Sequence, residues 1–181
     1  MESSFQAEIA AWNNFYMLLG SAAAALMGLL FVALSLRLGI FKQHQQDIQA
    51  SSALAFATLL AAIGVTALMV APSRDRASTA LILAGVGIAG LAAEAWVWRV
   101  MRRLVAAERI PEPLNHGTVS WVFRHGFGCV GLLLAAWLIW IGHEHGLGVL
   151  ACVEAFLLAS GATSIWMLLA NTANDSLEGS G

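Results

Sequence analysis

Residues Ile9 to Leu36 read IAAWNNFYMLLGSAAAALMGLLFVALSL, an unbroken run with no formal charge between Glu8 and Arg37. The hydrocarbon core of a bilayer takes about 20 consecutive apolar residues as a helix, so this stretch is long enough to cross one. The same punctuation recurs along the chain. Asp47 to Arg74, Arg76 to Arg99, Arg124 to Glu144 and Glu154 to Asp175 each bracket on the order of 20 residues, interrupted by a charge only at Glu94. The runs are continuous and not alternating, which excludes a β-barrel, whose strands alternate between lipid and lumen. The chain therefore reads as an all-α integral membrane bundle of five transmembrane helices. They are placed near residues 13–38, 50–72, 78–107, 119–142 and 147–171, in a single transmembrane domain spanning 1–181.

Composition agrees. Of 181 residues, 59% are hydrophobic and 11% charged, and mean hydropathy is +0.76. A soluble domain has about a quarter of its residues charged, because a water-facing surface needs them. The net charge of −2 leaves no basic field for nucleic acid. Cys129 and Cys152 both lie in apolar runs, and no CxxC pair suggests redox or zinc chemistry. Met1-Glu2-Ser3-Ser4 lacks the basic region of a cleaved signal peptide, so the first span is expected to stay in the mature protein. The closing Leu177-Glu178-Gly179-Ser180-Gly181 reads as a cloning scar.

Basic residues set the expected orientation, because Lys and Arg concentrate in cytoplasmic loops. Arg37, Lys42, Arg99, Arg102, Arg103, Arg109 and Arg124, seven of the nine, fall on one side. An extracytoplasmic N-terminus and a cytoplasmic C-terminus put them inside. Trp12, Trp96, Trp98, Trp121, Trp140 and Trp166 fall near the expected membrane boundaries, where aromatic belts form. The third helix meets no breaker before Pro111 and Pro113. It is expected to extend into the cytoplasm with a basic face that snorkels to headgroups, followed by a turn through Pro111–Gly117.

Small residues mark where helices can approach closely, since association in lipid depends on packing. Gly20, Ala24 and Gly28 form one stripe at i, i+4 and i+8. Gly85, Ala89 and Ala93 repeat it on the third helix, and Gly126, Gly128 and Gly131 lie on the fourth. These stripes serve packing within one chain or between chains. The first helix, Phe15-Tyr16-Met17-Leu18-Leu19-Gly20-Ser21 through Phe31-Val32-Ala33-Leu34-Ser35-Leu36, resembles the opening helix of small, uncharacterised bacterial multi-pass inner-membrane proteins. The resemblance covers this one helix. It implies a bacterial inner membrane and carries over no activity and no site.

Ionisable residues inside spans are costly and are candidates for function. Glu94 in the third helix and Glu154 in the fifth qualify, in opposite leaflets. At 1.5 Å rise per residue, Glu94 lies roughly 9 Å and Glu154 roughly 10 Å from the nearer end of its span. Arg124 and His125 enter from the side of Glu94, so a pair between Glu94 and either one is within reach if the third and fourth helices are neighbours. The structural alternative, favoured on the sequence alone, is that each carboxylate fixes helix register. Of metal candidates, His143 and His145 in the outer loop would need further ligands to complete a zinc site, and an exposed helical-hairpin turn is the simpler reading. No haem or other cofactor is indicated. No GxSxG, HExxH or P-loop sequence occurs, so no catalytic residue is assigned and an enzyme is not expected. Gly161-Ala162-Thr163-Ser164 reads as a packing patch, and Asn13 and Asn14 as capping residues.

Two functions remain. One is an oligomeric proton or cation channel or small transporter, resting on the two carboxylates. The other is a non-catalytic scaffold or accessory subunit of another membrane complex. The expected partners are the lipid bilayer and a second copy of the chain or another membrane protein.

Overall fold

The computed structural model describes residues 2–37, 45–71, 75–106 and 113–178, and among these every regular element is a helix. The order is α1 Glu2–Arg37, α2 Gln45–Val70, α3 Arg76–Ala106, α4 Pro113–Trp140 and α5 Gly146–Glu178. Four of the five hold stretches long and apolar enough to cross a membrane: Phe5–Ser35, Arg76–Trp96, Phe123–Trp140 and Gly146–Trp166. Ala55–Val70 of α2 is apolar as well, and the turns before it carry Gln45, Gln46, Asp47, Gln49, Ser51 and Ser52. Lys42, Arg74, Arg109, Pro111 and Gly179–Gly181 lie outside the described residues, as do the side chains of Arg37 and Trp121.

α1, α2 and α4 start earlier than the sequence reading placed them. α1 begins at Glu2, well before residue 13, because Phe5 is buried and Ile9 and Trp12 pack on the same core. The turn expected through Pro111–Gly117 is corrected from Pro113 onward, since α4 starts at Pro113 and carries Asn115, His116 and Gly117 in its opening turns. Proline suits the first helical position, where its missing N–H would have had no intrahelical acceptor.

The ends of the central hairpins are closed by local chemistry. Asp75 caps α3, its Oδ2 accepting from the Ser78 N–H at 3.0 Å while the Ser78 hydroxyl donates to its Oδ1. Hydrogen bonding from Ser78 pulls the Asp75 carboxyl below the usual carboxylate range. At the far end of α4, His143 N–H bonds Leu138 O at 2.9 Å and Gly142 N–H bonds Ile139 O at 3.1 Å. This is a Schellman cap, and Gly142 supplies its left-handed residue with φ of 76°. The chain then turns through His143-Glu144-His145 directly into α5.

Packing follows these hairpins. α3 lies most extensively on α4 and α1 on α2, while α5 touches α1, α2 and α4. One buried cluster gathers Tyr16, Val65, Met69, Leu83, Leu132, Ile139, Leu150 and Leu157; a second joins Ala23, Leu30, Leu59, Ala62, Leu158 and Ile165. Glycines allow the close approaches: Gly87 faces Leu133, Gly128 faces Leu157 and Gly131 faces Val153. Large apolar side chains cover the exterior of the described residues, with Phe31, Phe123, Phe127 and Trp166 each at least 70% exposed. Trp96 of α3, Trp140 of α4 and Trp166 of α5 are all exposed.

Candidate functional site

Among the described residues the interior holds few polar groups; Thr79 and Ser164 bond the backbone four residues before them, and the rest fall into two sets. The first joins α2, α3 and α4. Glu94 and His125 are both buried, with Glu94 Oε1 and His125 Nε2 4.0 Å apart. That is ion-pair range and too long for a hydrogen bond. The other imidazole nitrogen, Nδ1, lies 3.0 Å from the Thr58 hydroxyl of α2. Cys129 follows His125 at i+4 and therefore shares its face of α4. One donor atom from each of Glu94, His125 and Cys129 lies within 4.8 Å of the others.

Two glycines make this convergence possible. A Cβ on Gly126 would sit 2.8 Å from Glu94 Oε2, and one on Gly90 would collide with Cys129 Sγ. The close approach of α3 and α4 thus places the carboxylate and thiol against bare backbone of the opposite helix.

The second set joins α2 and α5 beside α1. Glu154 is 0% exposed, and its Oε1 accepts from the Thr66 hydroxyl at 2.5 Å. Gly20 of α1 sits against the same threonine, where a Cβ would overlap the Thr66 methyl. Tyr16 is also fully buried and donates its hydroxyl to Leu147 O at 3.0 Å. Glu94 Oε1 and Glu154 Oε2 are buried with no hydrogen-bond partner among the described residues, and native interiors hold few such atoms.

The two sets share α2. Thr58, Ala62 and Thr66 are spaced i, i+4 and i+8 and are all buried, so they line one inward face. Thr58 meets the first set and Thr66 the second, about 12 Å apart along the helix.

Other residues singled out from the sequence lie elsewhere. Arg124 is half-buried, and its guanidinium donates to Thr163 Oγ1 at 3.3 Å. His143 and His145 are exposed, with His145 3.6 Å from Glu144. Gly20 and Gly128 make tight contacts within the chain, whereas Gly28 and Gly85 have nothing within 4 Å and Ala24 and Ala89 are exposed. Ser164 bonds back to Ser160 O at 2.7 Å. Both cysteines are free, Cys129 buried and Cys152 exposed.

Sequence reasoning missed Thr58, Thr66, Tyr16 and the part played by Cys129. The i, i+4 spacing of His125 and Cys129 and the i, i+8 spacing of the threonines were the available signals. Hydroxyls in apolar helices usually bond their own backbone, which hid them.

No family model matches this chain, and no curated protein or solved structure is similar to it. Its class follows from the molecule itself: several apolar helices with an apolar exterior fit a multi-pass membrane protein.

Proposed function

We propose that the chain crosses a bacterial inner membrane five times and that its oligomer passes protons or small cations through the bundle interior. The N-terminus is extracytoplasmic and the C-terminus cytoplasmic, which keeps seven of the nine basic residues inside. α2 is the fifth span. It runs from Gln45 to Val70, 26 residues or about 39 Å, and its buried face packs on α1 and α5. α3 runs past Trp96 to Ala106, about 15 Å further, and carries Arg99, Arg102 and Arg103 along the cytoplasmic surface.

One observation carries the transport reading. Glu94 and Glu154, buried in different parts of the bundle, each face a polar side chain from another helix, and Thr58 and Thr66 lie between them on one face of α2. Carboxylate, hydroxyl and imidazole groups are those used to relay protons in membrane interiors. Ala62, 0% exposed, separates the two halves, so passage requires α2 to shift against its neighbours. The test is proton or cation flux into liposomes with E94Q and E154Q variants. Unchanged flux in both overturns the proposal.

A scaffold or accessory-subunit role has one observation in its favour. Ala24, Gly28, Phe31 and Phe56 line an apolar groove of about 400 Å³ on the outside of α1 and α2. On that reading a membrane partner stays bound in mild detergent, and E94Q and E154Q leave it in place.

A further inference from the structure

We propose that Glu94, His125 and Cys129 form a binding site for a divalent transition-metal ion of the zinc class. Their donor atoms already converge within 4.8 Å. Bond lengths of about 2.0–2.3 Å to zinc put tetrahedral donors roughly 3.3–3.6 Å apart, so closure needs side-chain movements on the order of 1 Å. Gly90 and Gly126 bring the two backbones close enough for this, with Cys129 Sγ and Glu94 against them.

The chemistry of the donor set selects the ion. A thiolate and an imidazole beside one carboxylate suit a borderline-soft ion; magnesium and calcium prefer oxygen donors throughout. Charge gives an independent argument. A carboxylate and a thiolate together carry −2, and a neutral imidazole adds nothing, so a divalent cation makes the site neutral. Neutrality is what a low-dielectric interior demands of buried charge.

The surroundings are arranged as a ligand histidine requires. Thr58 engages Nδ1 at 3.0 Å, leaving Nε2 turned toward Glu94 Oε1. A hydrogen bond on the second nitrogen fixes the tautomer and ring orientation of metal-binding histidines. Glu94 Oε1, buried and without a hydrogen-bond partner among the described residues, would be satisfied by coordinating the ion. Glu94 is followed within its helix by Arg99 and His125 is directly preceded by Arg124, the charges that bound the two apolar runs. The site therefore sits at one membrane edge, where an ion can enter without crossing the bilayer.

This site does not depend on transport, and binding is measured without a gradient. Full-length protein in detergent is titrated with Co²⁺ as the optical probe, then with Zn²⁺ and Mg²⁺ as competitors. The expected result is one Co²⁺ per chain with a thiolate-to-cobalt charge-transfer band, displaced by Zn²⁺ and not by Mg²⁺. C129S abolishes the band, C152S keeps it, and T58V, which leaves all three ligands in place, weakens binding about 10- to 100-fold. The double variant H143A/H145A binds as the parent does. Helical content and monodispersity of each variant show that it has folded. No thiolate band in the parent protein, a band that survives C129S, or binding lost in H143A/H145A overturns the assignment.

Discussion

Thr66 and Glu154 meet across α2 and α5, the threonine hydroxyl donating to a carboxylate oxygen at 2.5 Å in a place where Glu154 has no solvent exposure. The pair ties together two helices distant in sequence, and Gly20 of α1 closes over it. Thr66→Val removes the donor and keeps the shape, leaving the carboxyl group with neither oxygen hydrogen-bonded. A loss of about 1–3 kcal/mol is expected, measured by denaturant titration in micelles. Glu154→Gln retains an acceptor for Thr66 and is expected to cost less. Equal losses in the two variants would refute this account of the pair.

Gly20→Ala places a methyl against Thr66 and is expected to destabilise the bundle by about 1–3 kcal/mol. Gly28→Ala, with nothing within 4 Å of its new Cβ, is expected to be neutral or to stabilise by up to about 1 kcal/mol through helix propensity. Thermal melts of the two variants side by side decide the matter. The stripe of Gly20, Ala24 and Gly28 is regular in sequence, yet Gly20 meets Thr66 closely while Gly28 has nothing within 4 Å.

That difference shows what was legible from sequence. The spans could be read because charge is excluded from lipid, a one-dimensional constraint visible between Glu8 and Arg37 or Glu154 and Asp175. The pairing of Glu94 with His125 was legible too: helical rise counted both from the same end of neighbouring helices, and the α3–α4 hairpin brings them to 4.0 Å. Rotation was not. Nothing in the spacing of Thr58 and Thr66 says that their hydroxyls face His125 and Glu154, because helix azimuth is set by packing against neighbours. The opening turns of α1 were missed for the converse reason, since Phe5 is held by Arg76, 4.9 Å above its ring, a contact with another helix.

Gly142→Ala tests the closure of α4. The residue sits at φ 76°, where a side chain costs about 1–2 kcal/mol, and its Cβ would meet the Arg76 guanidinium. A loss of that size is expected in a thermal melt, against a near-neutral Gly148→Ala control, whose Cβ meets nothing within 4 Å. Equal effects would place the Gly142 requirement elsewhere.

The α3 cap gives a pH dependence with a defined sign. Ser78 holds the folded carboxyl of Asp75 below its unfolded value, so its contribution is complete above the ordinary carboxylate range. It is lost as pH falls through the depressed folded value. Amide exchange in the first turn of α3 is expected to accelerate in acid relative to Asp75→Asn, whose cap does not titrate. An identical acid profile in the two proteins would contradict the cap.

The most direct test of the central claim is proton flux into liposomes carrying the purified protein, read with an internal pH-sensitive dye under an imposed gradient. The account predicts flux above protein-free liposomes, falling to background in E94Q and in E154Q while H143A/H145A remains active. Flux equal to that of protein-free liposomes, or undiminished when both carboxylates are replaced, would contradict it.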